Sequence, residues 1–290
     1  MSRFEYHQPE SLAEAIALAE RYGGEASFLA GGTDLIVQIE RGGMAPRHVV
    51  GLGRVPGLTG IEANGRIALG ARVTHRAIER AAAFAGALRG LVESAEVIGG
   101  HQVRNVGTVG GNLVNASPAA DLVPCLLALD AAVKLVGPGG ERELPLERFL
   151  VGPNRTARRP DELLTRVSFP ALPARTATAF LKAGRRRAME ISVVCVAARL
   201  TLDASLERCL DARVALGAVA PTALRVHEAE RALEGQPVGA EAFRRAAEAA
   251  QQACRPIDDV RASAAFRRHL VGVLVRRALD TAAERARAAA

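Results

Sequence analysis

The chain has 290 residues, 49% hydrophobic and 24% charged, a globular composition that excludes a wholly disordered chain. Thirty-eight Lys and Arg against 31 Asp and Glu leave a formal net charge of +7, yet Lys134 and Lys182 are the only lysines, aromatics are 3% and Trp is absent. Basic charge without stacking aromatics or a recognition motif argues against nucleic acid as a partner. At roughly 100–200 residues per domain, the length predicts two domains. The N-terminal stretch from Met1 to His7 has no apolar signal-peptide core, and no apolar run approaches the roughly 20 residues of a membrane span, so a cytoplasmic protein is expected. Cys125, Cys195, Cys209 and Cys254 stand far apart with no C-x-x-C, which predicts a reduced chain without a metal of its own.

Residues 9–22 predict a helix. Ser11 stands at its N-cap, Glu14 completes a capping box, and Leu12, Ala15, Ile16 and Ala19 share a face. An apolar piece at 26–30 runs into Gly31-Gly32-Thr33-Asp34, and a further apolar stretch follows at 35–39. Segments 48–52 and 66–70 predict short strands, Thr74 caps a helix running towards Ala85, and a second helix covers about 87–99. The segment 103–115, dense in glycine and β-branched residues, predicts turns and short strands. A helix at 121–129, a strand at 132–136 and a turn at 137–140 come next. Pro153, Pro160, Pro170 and Pro173 predict a loop-rich stretch over 153–178 with a domain boundary near 175. Beyond it, strands at 177–182, 191–202 and 211–219 precede helices at 226–234, 239–253 and 261–285, the order of an α+β domain. The Ala- and Arg-rich last ten residues are expected to fray.

Two segments carry chemistry: Leu-Ala-Gly-Gly-Thr-Asp-Leu at 29–35 and Gly-Thr-Val-Gly-Gly-Asn at 107–112. Adjacent glycines free successive N–H groups to converge on one anion, and a Thr hydroxyl beside them is a further donor. One Gly-Gly alone is satisfied by a tight turn. Two of them, each with a Thr and a following Asp or Asn, suit a diphosphate gripped from both sides. The run Gly51-Leu-Gly-Arg-Val-Pro-Gly57 has the wrong spacing for a Rossmann fingerprint, and Pro56 sits where the helix should start, so it reads as loop.

The run from Gly100 to Asp121, Gly-His-Gln-Val-Arg-Asn-Val-Gly-Thr-Val-Gly-Gly-Asn-Leu-Val-Asn-Ala-Ser-Pro-Ala-Ala-Asp, resembles the FAD-binding segment of the molybdenum hydroxylases, the family of xanthine dehydrogenase and aerobic carbon monoxide dehydrogenase. Ala30-Gly-Gly-Thr-Asp-Leu35 is similar to that family's first flavin loop, and Phe180 to Glu190 resembles the start of its C-terminal flavoprotein domain. The resemblance covers essentially the whole chain. It implies an α+β fold: a vanillyl-alcohol-oxidase/p-cresol-methylhydroxylase-type FAD-binding domain over 1–175, in two α+β lobes split near 55–60, then a smaller α+β domain of the CO dehydrogenase flavoprotein type over 176–290.

The same resemblance implies a medium subunit carrying non-covalent FAD. It would pass electrons from [2Fe–2S] clusters on a small subunit to an external acceptor, with molybdopterin on a large subunit, as a dimer of heterotrimers. Leu29, Ala30, Gly31, Gly32, Thr33, Asp34 and Leu35, with Thr108, Gly110, Gly111 and Asn112, would hold the diphosphate through backbone N–H groups and the two Thr hydroxyls. Asp121 would bond the ribityl or ring-side polar atoms, with Asn115 and Ser117 beside it. Ile98 and Leu164 would pack near the rings, and Lys182 would place a cation by the reduced flavin. Glu190 stands where the family more often has Asp; His75 and His101 read as capping or surface residues, and Arg185 to Arg187 as a solvated or subunit-facing cluster. Neither a catalytic residue nor a metal ligand is expected in this chain. Two alternatives share the fold: a stand-alone FAD-dependent reductase or oxidase, and a flavin-free structural or interaction module.

Overall fold

The structure, a computed structural model, describes residues 3–186 and 188–289. Its first sheet is a parallel three-stranded one, ordered β1 (Glu5–His7), β3 (His48–Gly51), β2 (Ala26–Leu29). The crossovers are α1 (Leu12–Tyr22) and α2 (Leu35–Glu40). The capping signal of α1 is realised: Ser11 Oγ accepts from Glu14 N–H at 3.1 Å. The return arm differs by one residue, since Glu14 Oε2 accepts from Glu10 N–H at 2.9 Å. Ala15, Ile16 and Ala19 turn inward from α1.

A five-stranded antiparallel sheet follows, built from β4 (Ile61–Asn64), β5 (Arg66–Gly70), β6 (Ala132–Gly137), β7 (Gly140–Pro145) and β10 (Leu163–Pro170) in the order β4-β5-β10-β6-β7. Between β5 and β6 the chain runs through α3 (His75–Arg80), α4 (Arg89–Glu96), α5 (His101–Val106), α6 (Val109–Asn115) and α7 (Leu122–Ala128). After β7 come α8 (Leu146–Phe149) and the small hairpin β8 (Leu150–Gly152) and β9 (Arg155–Thr156). The last third is an antiparallel meander of β11 (Thr176–Ala183), β12 (Val194–Leu202), β13 (Cys209–Gly217) and β14 (Leu224–Arg225). Next come α9 (His227–Arg231), α10 (Ala240–Ala253) and α11 (Ala264–Ala288), and the sheet shares a core with Phe243 of α10 and Val275 and Leu279 of α11. Among the described residues no helix is long and apolar enough to cross a membrane.

Three expectations from sequence are corrected. The segment 103–115 contains helices α5 and α6 rather than strands. Its valines and glycines are poor helix formers, but Thr108 caps α6 by accepting from Gly111 N–H at 3.1 Å, and packing decides the rest. Residues 163–170, read as loop, form β10, the strand at the middle of the five. Pro160 and Pro170 bracket this run rather than interrupt it, and Leu163, Leu164, Thr165, Val167, Ser168 and Phe169 are all buried, so no polar alternation betrays it. Where fraying was expected, α11 continues to Ala288 with Ala282, Ala283 and Ala286 buried. The cluster at 185–187 is exposed at Arg185 and Arg186, and Arg187 lies outside the described residues.

Candidate functional site

The polypeptide leaves the end of β2 at Leu29 and turns through Ala30 to Asp34 into α2. None of the N–H groups of Gly31, Gly32, Thr33, Asp34 and Leu35 meets an acceptor within the described chain, so successive donors stand open along this turn. The second glycine turn packs directly on the first. A Cβ placed on Gly31 would lie 1.9 Å from the Val106 carbonyl oxygen, and one on Gly107 would lie 3.5 Å from Thr33 Oγ1. Only glycine permits that approach.

The second turn uses its backbone differently from the expectation. Val109 N–H donates to Val73 O at 2.9 Å, Gly110 N–H to Ala71 O at 2.8 Å, Gly111 N–H to Thr108 Oγ1 and Asn112 N–H to Thr108 O at 2.9 Å. These donors are therefore engaged within the chain. Gly110 is required because a Cβ there would stand 2.7 Å from Ala71 O. What remains for a ligand is the Thr108 N–H, the Thr108 hydroxyl hydrogen, left over when its oxygen accepts from Gly111, and the Asn112 side chain.

Both turns line one cavity of about 730 Å³, within the usual range for a ligand site. Of the residues picked from sequence, Ala30 to Leu35, Ile98, Thr108, Gly110, Gly111, Asn112, Asn115, Ser117, Asp121 and Leu164 lie on its wall. Leu29 and Lys182 do not: the Leu29 carbonyl accepts from Leu52 N–H at 2.9 Å, and the Lys182 ammonium points elsewhere. That ammonium donates to Asp121 Oδ2 at 2.7 Å, to the Glu190 carbonyl at 2.8 Å and to the Val97 carbonyl at 3.4 Å. Ser192 Oγ donates to the other Asp121 oxygen. Burial pushes the Asp121 carboxyl up and the neighbouring ammonium opposes that shift; Lys182 thus meets the cavity wall through Asp121 and the Glu190 backbone. The Glu190 carboxylate faces Arg186 Nε at 3.3 Å, and its backbone, not its side chain, meets Lys182.

Several wall residues escaped the sequence reading. His75, read as a capping or surface residue, is buried at the start of α3 with its N–H donating to Gly107 O at 3.0 Å. Burial, and then the nearby Arg104 guanidinium, push it down to about 4, so the ring is neutral near pH 7. Its Nδ1, the Asn112 Oδ1 and the Arg72 Nε are buried without a partner among the described residues, and all three side chains line the cavity. Buried polar atoms of this kind call for a ligand or water. Gln38 ties the helices that follow the two turns, α2 and α6, by donating to Asn115 Oδ1 at 3.3 Å, and Arg158 adds a second guanidinium to the wall. Only capping at Thr74 hinted at this region in the sequence; a lone His, Gln or Arg has no periodic signature. His101 is exposed, beside Arg104.

Comparison with known proteins adds names to this geometry. Residues 2–172 match the family described as the FAD binding domain in molybdopterin dehydrogenase, and residues 179–282 the CO dehydrogenase flavoprotein C-terminal domain. The chain is 33% identical over 281 residues to the carbon monoxide dehydrogenase medium chain of Hydrogenophaga pseudoflava, covering 97% of each. It is 31% identical over 280 residues to the xanthine dehydrogenase FAD-binding subunit of Escherichia coli O157:H7, covering 96% of this chain and 95% of the other. Among solved structures, reconstituted CO dehydrogenase from Oligotropha carboxidovorans superposes with a TM-score of 0.94 at 33% identity, over 98% of this chain and 99% of the other.

Proposed function

The chain belongs to the FAD-binding medium subunits of the molybdenum hydroxylases, and on that premise we propose that its cavity holds FAD non-covalently for electron transfer within a multi-subunit oxidoreductase. The observation that carries this reading is a single cavity that takes in both glycine turns, one of them with its N–H groups open. The residues present fit the cofactor. A diphosphate accepts from the Gly31 to Leu35 amides and the Thr33 and Thr108 hydroxyls, and the orphaned Asn112 and His75 atoms await polar groups. Arg72 and Arg158 on the wall supply positive charge for the same anion.

Bound there, FAD supplies the redox centre that takes electrons from iron–sulfur clusters on a partner and hands them to an external acceptor. The chain's own residues bind, orient and shield. In this reading Asp121 holds a ring-side or ribityl polar group and is itself held by Lys182 and Ser192, with Asn115 and Ser117 alongside. Ile98 and Leu164 close apolar surface over the rings and keep water away. The partners are an iron–sulfur small subunit and a molybdopterin large subunit, assembled as a cytoplasmic dimer of heterotrimers. The FAD-binding unit occupies 1–175 and the C-terminal unit 176–290.

Purification tests this directly. The expected product is a yellow chain that releases FAD into the supernatant on denaturation and shows no NAD(P)H turnover without its partners. A colourless chain that takes up no added FAD overturns the reading.

A further inference from the structure

At the starting end of the first parallel sheet, three side chains with metal-ligating atoms converge. β1, β3 and β2 are parallel, with Glu5, His48 and Ala26 in register at their starting end, while Leu29 and Gly51 pair at the end where the first glycine turn begins. Glu5 and His7 project from the same face of β1, and His48 lies across from Glu5 on β3. His7 Nε2 and His48 Nδ1 are 3.1 Å apart. The Glu5 carboxylate straddles them, Oε1 at 3.9 Å from His7 Nε2 and Oε2 at 3.6 Å from His48 Nδ1.

We propose that Glu5, His7 and His48 form a binding site for a zinc-class divalent transition ion, with solvent as the fourth ligand. Ligands around tetrahedral zinc at its normal bond lengths stand roughly 3.3–3.5 Å from one another. The observed separations of 3.1, 3.6 and 3.9 Å bracket that spacing, so an ion enters with shifts of a few tenths of an ångström. Two imidazoles with one carboxylate is a donor set that suits zinc, cobalt and nickel. The histidines are built in: their side chains are only 14% and 16% exposed, and Tyr22 stacks on His48 at 3.6 Å and 12° and on His7 at 5.2 Å. Glu5 is 64% exposed, which leaves the ion an entry path and an open coordination position.

The ion's work is structural. β1 is a three-residue edge strand near the chain start, and a bond from Glu5 and His7 to His48 would clasp it to β3, the strand that also supports β2 and its glycine turn. Binding to the folded chain alone adds to its stability by mass action. Cysteine spacing is blind to this site, because its ligands come from strands 41 residues apart.

The test uses the full chain, stripped with chelator and titrated with cobalt chloride, then with zinc chloride as competitor. One equivalent of cobalt is expected to give visible ligand-field absorption beyond the flavin band, displaced by zinc, with zinc raising the melting temperature. His7→Gln abolishes the band. Glu5→Gln, an exposed change that leaves the stacked rings in place, weakens binding by at least about tenfold, the scale on which even outer-sphere ligand partners act. Circular dichroism and flavin content stay at wild-type values in both variants, which separates loss of the site from loss of the fold or of FAD binding. No stoichiometric band in the wild type, or a band undiminished in both variants, overturns the proposal.

Discussion

At the scale of single residues, this site depends on atoms that have no side chain and on polar atoms that have no partner. Gly31 shows the first case. An added methyl would strike the Val106 carbonyl at 1.9 Å, and both glycine turns would have to part. Gly31→Ala is therefore expected to lose bound flavin and to cost about 3 kcal/mol by urea unfolding, whereas Gly53→Ala, with open space around it, stays within about 0.5 kcal/mol. His75 shows the second case. Folding lowers its pKa from 6.5 to about 4, so in that window the unfolded chain binds the extra proton. The contribution is complete above pH 6.5 and is lost as pH falls towards 4, up to about 3 kcal/mol. Unfolding free energy measured against pH should fall through that window in the wild type and be flatter in His75→Gln; equal slopes would remove His75 as the cause. The glycine pairs were visible in the sequence because their pattern is local. His75 was not, since Gly107, which packs on it, and Arg104, whose charge acts on it, are brought there by folding.

At the scale of elements, α6 and β11 each deliver a group to the site by bonds to other elements. The α6 start is pinned by Ala71 and Val73 and capped by Thr108, which explains why its amides are not open while those before α2 are. Thr108→Val removes both the cap and the remaining hydroxyl donor, so a loss of about 1 kcal/mol in stability should accompany weaker FAD binding, read by flavin titration. β11 carries Lys182, and the Asp121 at the start of α7 receives it; the two side chains are 10% and 8% exposed. Lys182→Met leaves a buried carboxylate short of its countercharge and is expected to cost about 3–5 kcal/mol, with Asp121→Asn restoring part of the loss in the double variant. Additive losses would show that the pair is not coupled. The family motif marked both residues but not their bond, because 61 positions separate them.

At the scale of the whole molecule, one apolar cluster crosses the boundary expected near residue 175, beside a second that lies wholly beyond it. Leu122 and Leu126 of α7 share one apolar cluster with Phe180 of β11, Cys195 and Ala197 of β12 and Ala215 of β13. Alongside it, the Glu93 carboxylate of α4 accepts from Phe180 N–H at 3.1 Å and pairs with Arg285 of α11, whose guanidinium also donates to Thr178 O at 2.9 Å. A cluster that joins residues from both sides of the boundary predicts a single calorimetric unfolding transition rather than two. Deleting residues 281–290 would uncover Ala177 and Leu202, which pack with Ala286, and remove Arg285, so the shortened chain should melt well below the full one. Two resolved transitions, or an unchanged melting temperature, would contradict this.

Local chemistry was enough to determine several features from sequence alone: the Ser11 and Thr74 caps, the strand and helix order of the last third, and the two glycine turns whose residues carry the family resemblance. These depend on neighbours within a few positions, where propensity and spacing act. Tertiary structure alone decided that 103–115 coils into helices, that β10 lies at the middle of its sheet, that Lys182 serves Asp121, and that Glu5, His7 and His48 meet. Each of those rests on contacts between distant segments, where burial outweighs the preference of the residues themselves.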